Sequence, residues 1–113
     1  MNDAKIMQVF QLLAVIPDAE PWRDLAEAEM KAVEAELRPG ADSNDKRVSF
    51  YVAARANVQY RRIIAQSTPT YAGTVSNDAE SSLAERLLRV YRAECAPLLR
   101  DDAFIFMHTE GCT

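Results

Sequence analysis

Residues 46–66, KRVSFYVAARANVQYRRIIAQ, form the stretch that decides the fold. Its apolar side chains recur on two neighbouring stripes with the period of an α-helix. One stripe holds Phe50, Ala53, Ala54, Tyr60 and Ile64, with Asn57 interrupting it, and the other holds Val48, Val52, Ala56 and Ile63. A helix that is apolar over so wide an arc needs cover on more than one side. The stretch is therefore predicted to be the central helix of a small bundle.

Two shorter amphipathic segments precede the central helix. Residues 3–15 carry apolar side chains at i, i+3, i+4 and i+7, and Asn2 or Asp3 is suited to cap the first turn. The second segment, residues 21–38, carries an apolar stripe and candidate ion pairs on its outer face, and Gly40 follows its end. Both segments are predicted to be helices that cover the central one.

The region after the central helix changes in character. Residues 67–78, STPTYAGTVSND, are rich in turn-forming residues with short β-favouring pieces, which predicts a loop or small hairpin. A fourth amphipathic helix is predicted from Asp78 or Ser81 to about Leu99. Residues 101–113 form a tail with a short aromatic, apolar run.

The whole sequence predicts one all-α domain over residues 1–113. It comprises about four main helices, with residues 1–19 as an N-terminal helix and turn and a short hairpin or irregular insertion between helices 3 and 4. No apolar run reaches the length that spans a bilayer, and no signal-peptide pattern is seen. The expected location is therefore the cytoplasm, with no membrane partner.

Charge is distributed unevenly along the chain. The formal net charge is −4, with −6 in residues 1–45 and +2 in residues 46–113. Solvated helix faces explain this pattern. A sharper interpretation is that an acidic face of one copy contacts a basic face of the next, and heterologous contacts of this kind build rings. An acidic chain is a poor candidate for tight, direct binding of nucleic acid.

The sequence offers little chemistry for catalysis or metal binding. His108, Glu110 and Cys112 lie close together, but a structural zinc site needs four ligands and the chain has one histidine and two cysteines. Cys95 lies on a helix stripe and is predicted to be a small buried apolar residue with a free thiol. We therefore expect no catalytic residues, no cofactor and no metal.

Arginines recur on two of the predicted helices. Arg61 and Arg62 lie near the end of the central helix, where cations favour the helix dipole. Arg86, Arg89 and Arg92 recur every three residues on the fourth helix. They form either a solvated face or a basic stripe for the acidic helix of a partner.

The tail contains a short run of apolar side chains that are candidates for a contact with another part of the chain or with a neighbouring subunit. Phe104, Ile105 and Phe106 are adjacent and too apolar to remain in water. They are expected either to fold back onto the same chain or to pack on a neighbouring subunit.

The order of these features resembles a known family. An acidic helix beginning PWRDLAEAEM precedes the aromatic- and alanine-rich SFYVAARANVQYRRIIA. The segment TYAGTVSND, the helix SLAERLLRVYRAECAPLL and the ending RDDAFIFM follow. This order is similar to that of the small head–tail connector proteins, also called head-completion or adaptor proteins, of tailed phages and prophages. The resemblance covers roughly residues 20–107.

The resemblance implies a structural function. Members of this family are small α-helical proteins that form a ring beneath the portal, extend the DNA channel and join head to tail, and no catalytic residues come with the family. The implied partners are copies of the same chain, the portal protein and the tail-completion proteins, in the cytoplasm of a bacterial host or in the virion. The candidate interface pairs acidic residues of one copy with arginines of another and adds aromatic contacts: Glu27, Glu34, Glu36, Arg61, Arg62, Arg89, Tyr71, Phe104 and Phe106.

Two alternatives remain open at this point. The chain could be a small helical interaction or regulatory module that docks one partner through its second helix or its tail. It could also be a small enzyme or metal protein, which bound zinc at one equivalent per chain would indicate.

Overall fold

The fold is a bundle of four main helices. The computed structural model describes residues 1–67 and 70–100, with side chains for residues 1–66 and 79–100. The elements are α1 (Asp3–Ala14), α2 (Arg23–Glu36), α3 (Lys46–Ser67) and α4 (Thr70–Cys95), with single 3₁₀ turns at Glu20–Trp22 and Ala96–Leu98. Within the described ranges no strand forms beyond one isolated bridge between Leu37 and Leu99. The all-α prediction is confirmed.

Helix α3 is the centre of the bundle. It packs against α1, α2 and α4. Its buried side chains point in every direction around the helix axis: Val48, Ser49, Tyr51, Val52, Ala53, Ala54, Ala56, Asn57, Val58 and Tyr60. Small residues at many of these positions allow the neighbouring helices to approach closely. The prediction that residues 46–66 need cover on more than one side is therefore confirmed.

Aromatic contacts join the first helices to α3. The Tyr60 ring lies edge-on to the Phe10 ring, with 6.1 Å between centroids, and edge-on to the Trp22 ring at 4.9 Å. Phe10 is fully buried. One tyrosine near the end of the buried part of α3 thus contacts both α1 and the turn before α2.

The chain after α4 returns to the end of α2. Arg38 donates its backbone N–H to the Leu98 carbonyl at 3.0 Å, and Arg100 donates its N–H to the Glu36 carbonyl at 2.8 Å. Leu37 and Leu99 are both buried at this crossing. These bonds fix the C-terminal end of α4 relative to α2.

The prediction of a hairpin or irregular insertion over residues 67–78 is wrong where the structure describes it. Ser67 ends α3, and α4 already begins at Thr70. Residues 68 and 69 and the tail lie outside the described residues. Turn-forming residues are weak evidence, because Gly73 or Asn77 each costs only about 1 kcal/mol or less in a helix. A helix that is already formed extends through such residues at small further cost.

Helix α1 begins and ends with defined caps. Of the two predicted caps, Asn2 is the one used: its side chain accepts a hydrogen bond from the Lys5 backbone N–H, and Asp3 is the first residue of the helix. At the other end Val15 adopts the left-handed conformation, with φ 56°, while the Ile16 N–H reaches the Gln11 carbonyl. A β-branched residue is strained in this conformation, which glycine adopts freely.

Replacing Val15 by glycine should stabilise the protein. The Val15 side chain is 83% exposed, so little packing is lost, while the strain of the left-handed conformation is relieved. After the greater chain entropy of glycine is counted, we expect a gain of about 0.5–1 kcal/mol in the free energy of unfolding, measured by urea denaturation. Val15→Ala keeps the Cβ atom and should gain much less. An equal gain in both variants would contradict this explanation.

Candidate functional site

A partly buried ionic network connects α2 to α3. Arg55 donates from Nε to Glu29 at 3.0 Å and from Nη1 to Glu36. The Tyr51 hydroxyl donates to Glu36 at 2.9 Å and accepts from Arg55 Nη1 at 3.2 Å. The two glutamates are two helical turns apart on α2, and Tyr51 and Arg55 are one turn apart on α3. The network therefore follows from two helices lying side by side.

Burial and the hydrogen bonds within the network shift the pKa values of Arg55 and Tyr51. Burial acts to lower the pKa of Arg55, but the hydrogen bonds to Glu29 and to the other two members outweigh it and raise that pKa above its ordinary value. Burial also raises the pKa of the Tyr51 phenol. Arg55 is thus permanently cationic and is held between two carboxylates.

This network forms one wall of a cavity of about 300 Å³. We call it the arginine cleft, because four of its lining residues are arginines. α2 contributes one residue, α3 five and α4 three: Glu29, Tyr51, Arg55, Val58, Gln59, Arg62, Leu88, Arg89 and Arg92. Most of the lining therefore comes from α3 and α4.

The arginines of the cleft differ in their surroundings. Arg55 is held by its carboxylates, whereas Arg62 and Arg89 are exposed. Among the described residues, neither Arg62 nor Arg89 forms an ion pair with another. Arg92 also lines the cleft. Arg86 is exposed on the same helix but does not line it.

Two predicted interface residues are engaged within the chain. Glu36 belongs to the ionic network. Arg61, whose side chain is 13% exposed, contacts Glu80 at 2.7 Å and donates to the Ala14 carbonyl at 2.7 Å. These bonds give both residues a role in joining helices of one chain. Their role between copies stays a prediction.

Glu27 and Glu34 lie on a different side of α2 from the ionic network. Residues seven apart share nearly one direction from the helix axis, while residues two apart differ by about 200°. Glu27 and Glu34 therefore point away from Glu29 and Glu36. Glu34 is exposed, and Glu27 lies 3.9 Å from Arg23 in a partly exposed pair. We call Glu27 and Glu34 the outer acidic flank.

The side chains of the aromatic candidates lie outside the described part of the chain. Tyr71 lies in the first turn of α4, but its side chain is outside the described set. Phe104 and Phe106 lie outside the described residues. Their predicted interface roles stay predictions.

The ionic network was not among the features predicted from the sequence. Glu29 is one of many carboxylates on α2, and Arg55 is one charge within an apolar helix. The sequence did contain a signal for it. Glu29 and Glu36 are seven residues apart and Tyr51 and Arg55 are four apart, so each pair lies on one face of its helix. Buried Asn57 is a further polar feature of α3, and its Oδ1 atom has no hydrogen-bond partner in the described part of the chain.

The start of α3 is fixed by a separate ion pair. The side chain of Arg47 and then its backbone N–H lower the pKa of Asp45 to about 2. Because the pKa falls on folding, this group contributes stability above its ordinary pKa of about 4, and the contribution is lost as the pH falls toward 2. The neighbouring Lys46 and Arg47 line a second cavity of about 210 Å³ with Phe50 and Tyr91.

Cys95 is buried, as predicted. Its side chain is inaccessible, and burial raises the pKa of its thiol to about 11. The thiolate is the reactive form, so this cysteine is protonated and unreactive at neutral pH. Within the described ranges no three histidine, cysteine or acidic side chains are grouped to hold a metal ion. His108, Glu110 and Cys112 lie outside those ranges.

Neither a search for matching protein families nor comparisons with curated proteins and with solved structures found a match to this chain. In the described part of the chain, no helix has the length and apolar character needed to cross a membrane.

Removing the cation of the network should destabilise the protein. Arg55→Met leaves Glu29 and Glu36 close together without a partner. Because the group is only partly buried, we expect a loss of about 1–3 kcal/mol in the free energy of unfolding, measured by urea denaturation.

The matched control is Arg62→Met, which removes an exposed arginine of the same helix and should change the stability by less than about 0.5 kcal/mol. Adding Glu29→Gln and Glu36→Gln to Arg55→Met should recover part of the loss. Equal effects of Arg55→Met and Arg62→Met would show that the network contributes nothing.

Proposed function

We propose that this chain is a structural subunit of a phage or prophage head–tail connector. Copies would assemble head-to-tail into a ring at the portal, extend the DNA channel and join head to tail. The order of helices and segments that resembles this family supports the proposal, and so does the distribution of charge on the folded chain. The proposed partners beyond the chain itself are the portal and tail-completion proteins.

The observation that carries the proposal is the separation of two complementary surfaces on one chain. The outer acidic flank of α2 points away from the network, whereas Arg62 and Arg89 line the cleft on the other side of that network. A contact between two unlike, complementary surfaces of neighbouring copies is heterologous. Such contacts close into rings when the rotation between copies permits.

An exposed apolar stripe on α4 adds to the candidate interface. Leu83 and Val90, two turns apart, are 50% and 48% exposed, and Leu87 lies beside them, partly buried. These side chains supply apolar area that charge pairs alone lack. The stripe thus offers a contact of a second chemical type.

The energetics predict weak, salt-sensitive single contacts. An exposed ion pair contributes about 0.2–1 kcal/mol and is screened by salt. A ring subunit therefore depends on several such pairs, on apolar area and on closure of the ring. In the proposed setting, assembly takes place in the bacterial cytoplasm and the ring becomes part of the virion.

Charge reversal tests the proposal. The mass of the wild-type chain, measured by light scattering after size exclusion, should correspond to a large species at low salt that shrinks at moderate salt. Glu34→Arg and Arg89→Glu should each weaken assembly because each places like charges at every contact. The combined variant exchanges the charges and should restore assembly.

Lys46→Glu is the control, since Lys46 is an exposed cation that lies outside the arginine cleft, the outer acidic flank and the apolar stripe of α4. It should leave the mass unchanged, and negative-stain images of the large species should show closed rings. A monomer under all conditions, or a combined variant no better than either single one, would contradict head-to-tail assembly. That result would favour the alternative of a small helical interaction module.

A further inference from the structure

An aromatic pocket opens between the start of α3 and the end of α4. It is the second cavity described above, with a volume of about 210 Å³, and its lining residues are Lys46, Arg47, Phe50, Tyr91 and Glu94. The rings of Phe50 and Tyr91 meet at 62°, with 5.3 Å between their centroids. Both side chains are only partly buried, so each ring keeps apolar surface in contact with water. The described helices therefore leave part of this apolar surface uncovered.

The size and chemistry of the aromatic pocket suit one phenyl ring. A cavity of about 150 Å³ with apolar walls holds a benzene molecule, and the volume of about 210 Å³ exceeds that. Aromatic rings at centroid distances of about 4.5–7 Å attract one another edge to face. A third ring against Phe50 and Tyr91 would bury apolar area and extend their edge contact. The pocket thus favours an aromatic side chain over a charged or small polar group.

The chain that follows Arg100 starts at the same end of the bundle. Backbone hydrogen bonds hold Arg100 beside the end of α2. Glu94 of the pocket precedes it by only six residues, and the 3₁₀ turn after α4 shortens the path between them. The ends of this path are therefore less than about 20 Å apart. Six residues span about 20 Å when extended, so the chain can reach the pocket within residues 101–106.

The first large apolar side chains after residue 100 are aromatic or β-branched. They are Phe104, Ile105 and Phe106, which we call the aromatic run. Burial of their apolar area is favourable, and the aromatic pocket is within their reach. The exposed Leu83 of α4 lies eleven residues before the last residue of the pocket, about 16 Å farther along the helix. The pocket is thus the nearer apolar surface for this run.

Charge at the rim of the pocket is complementary to the residues that lead into the run. Residues 101–102 are both aspartate, and Lys46 is exposed at the rim. The carboxylates would approach this cation, and their attraction is screened by salt. Glu94 also lines the pocket and opposes them. The apolar contact therefore contributes most of the docking energy.

We propose that the aromatic run docks in the aromatic pocket of its own chain, with one phenyl ring against Phe50 and Tyr91. Docking covers the apolar surface that α3 and α4 leave at this end of the bundle and connects residues 101–106 to both helices. The contact goes beyond the proposed function, because it forms within one chain and needs no ring. The charges that support ring assembly lie elsewhere on α2 and α4, so either proposal can fail alone.

Digestion by chymotrypsin tests the docking, because this protease cleaves after aromatic residues that it can reach. The whole chain is digested at about 0.15 M salt, where ring contacts are screened, and cleavage after Phe104 and Phe106 is followed by mass spectrometry. Tyr91→Ala removes one wall of the pocket and should raise the rate of this cleavage by about fivefold or more. Phe50→Ala, which removes the other ring, should have the same effect.

Leu25→Ala is the matched control, since Leu25 is a partly buried apolar residue of α2 that packs on the core but does not line the pocket. It should leave the cleavage rate within about twofold of the wild type. Circular dichroism checks that every variant is folded.

Urea denaturation gives a second measurement that needs no protease. Replacing both phenylalanines of the run, Phe104→Ala and Phe106→Ala, should lower the equilibrium constant for folding by about threefold or more. The same replacement in the Tyr91→Ala background should have little effect, because the pocket is already lost.

Equal cleavage rates after Phe104 and Phe106 in the wild type and in Tyr91→Ala would overturn the proposal. So would an equal rise in Leu25→Ala, which would indicate general destabilisation. The protection must also be independent of protein concentration. Protection that disappears on dilution would assign the run to a neighbouring copy and would contradict docking within one chain.

Discussion

The burial of α3 on all sides is the constraint on which the rest of the structure depends. From Val48 to Tyr60 this helix leaves almost no side chain in water, so α1, α2 and α4 must each cover part of it. Arg55 is the one charged residue in this segment, and it cannot be covered by apolar groups without a large desolvation cost. Its guanidinium therefore requires carboxylates from a neighbouring helix, and Glu29 and Glu36 supply them.

The orientation of α2 follows from that requirement. Because Glu29 and Glu36 face Arg55, helix periodicity directs Glu27 and Glu34 to the other side of α2. The ionic network at the same time forms one wall of the arginine cleft, which Arg62 and Arg89 line from α3 and α4. The two ion pairs of Arg55 thus lie between the outer acidic flank and the arginine cleft. This separation supports the proposed contact between copies in a ring.

The sequence predicts the features that depend on one helix and misses those that depend on two. Periodicity predicted α3 within one residue and the burial of Cys95. Residue type predicted a cap at Asn2 or Asp3, and the structure has it at Asn2. Periodicity could not show that Glu36 is used inside the chain, because a helix pattern gives the direction of a side chain but not the neighbour that it meets. The same limit applies to Arg61, which contacts α1 and α4. The wrong hairpin over residues 67–78 shows that turn-forming residues do not end a helix by themselves.

Disulfide cross-linking between two variants tests head-to-tail assembly most directly. In a Cys112→Ser background, Cys95 stays buried and protonated, so introduced thiols are the reactive ones. Glu34→Cys and Arg89→Cys chains are mixed at low salt and oxidised mildly. The account predicts that 34–89 heterodimers dominate over dimers of either variant alone. Dominant 34–34 or 89–89 homodimers would show a two-fold interface and would contradict the account.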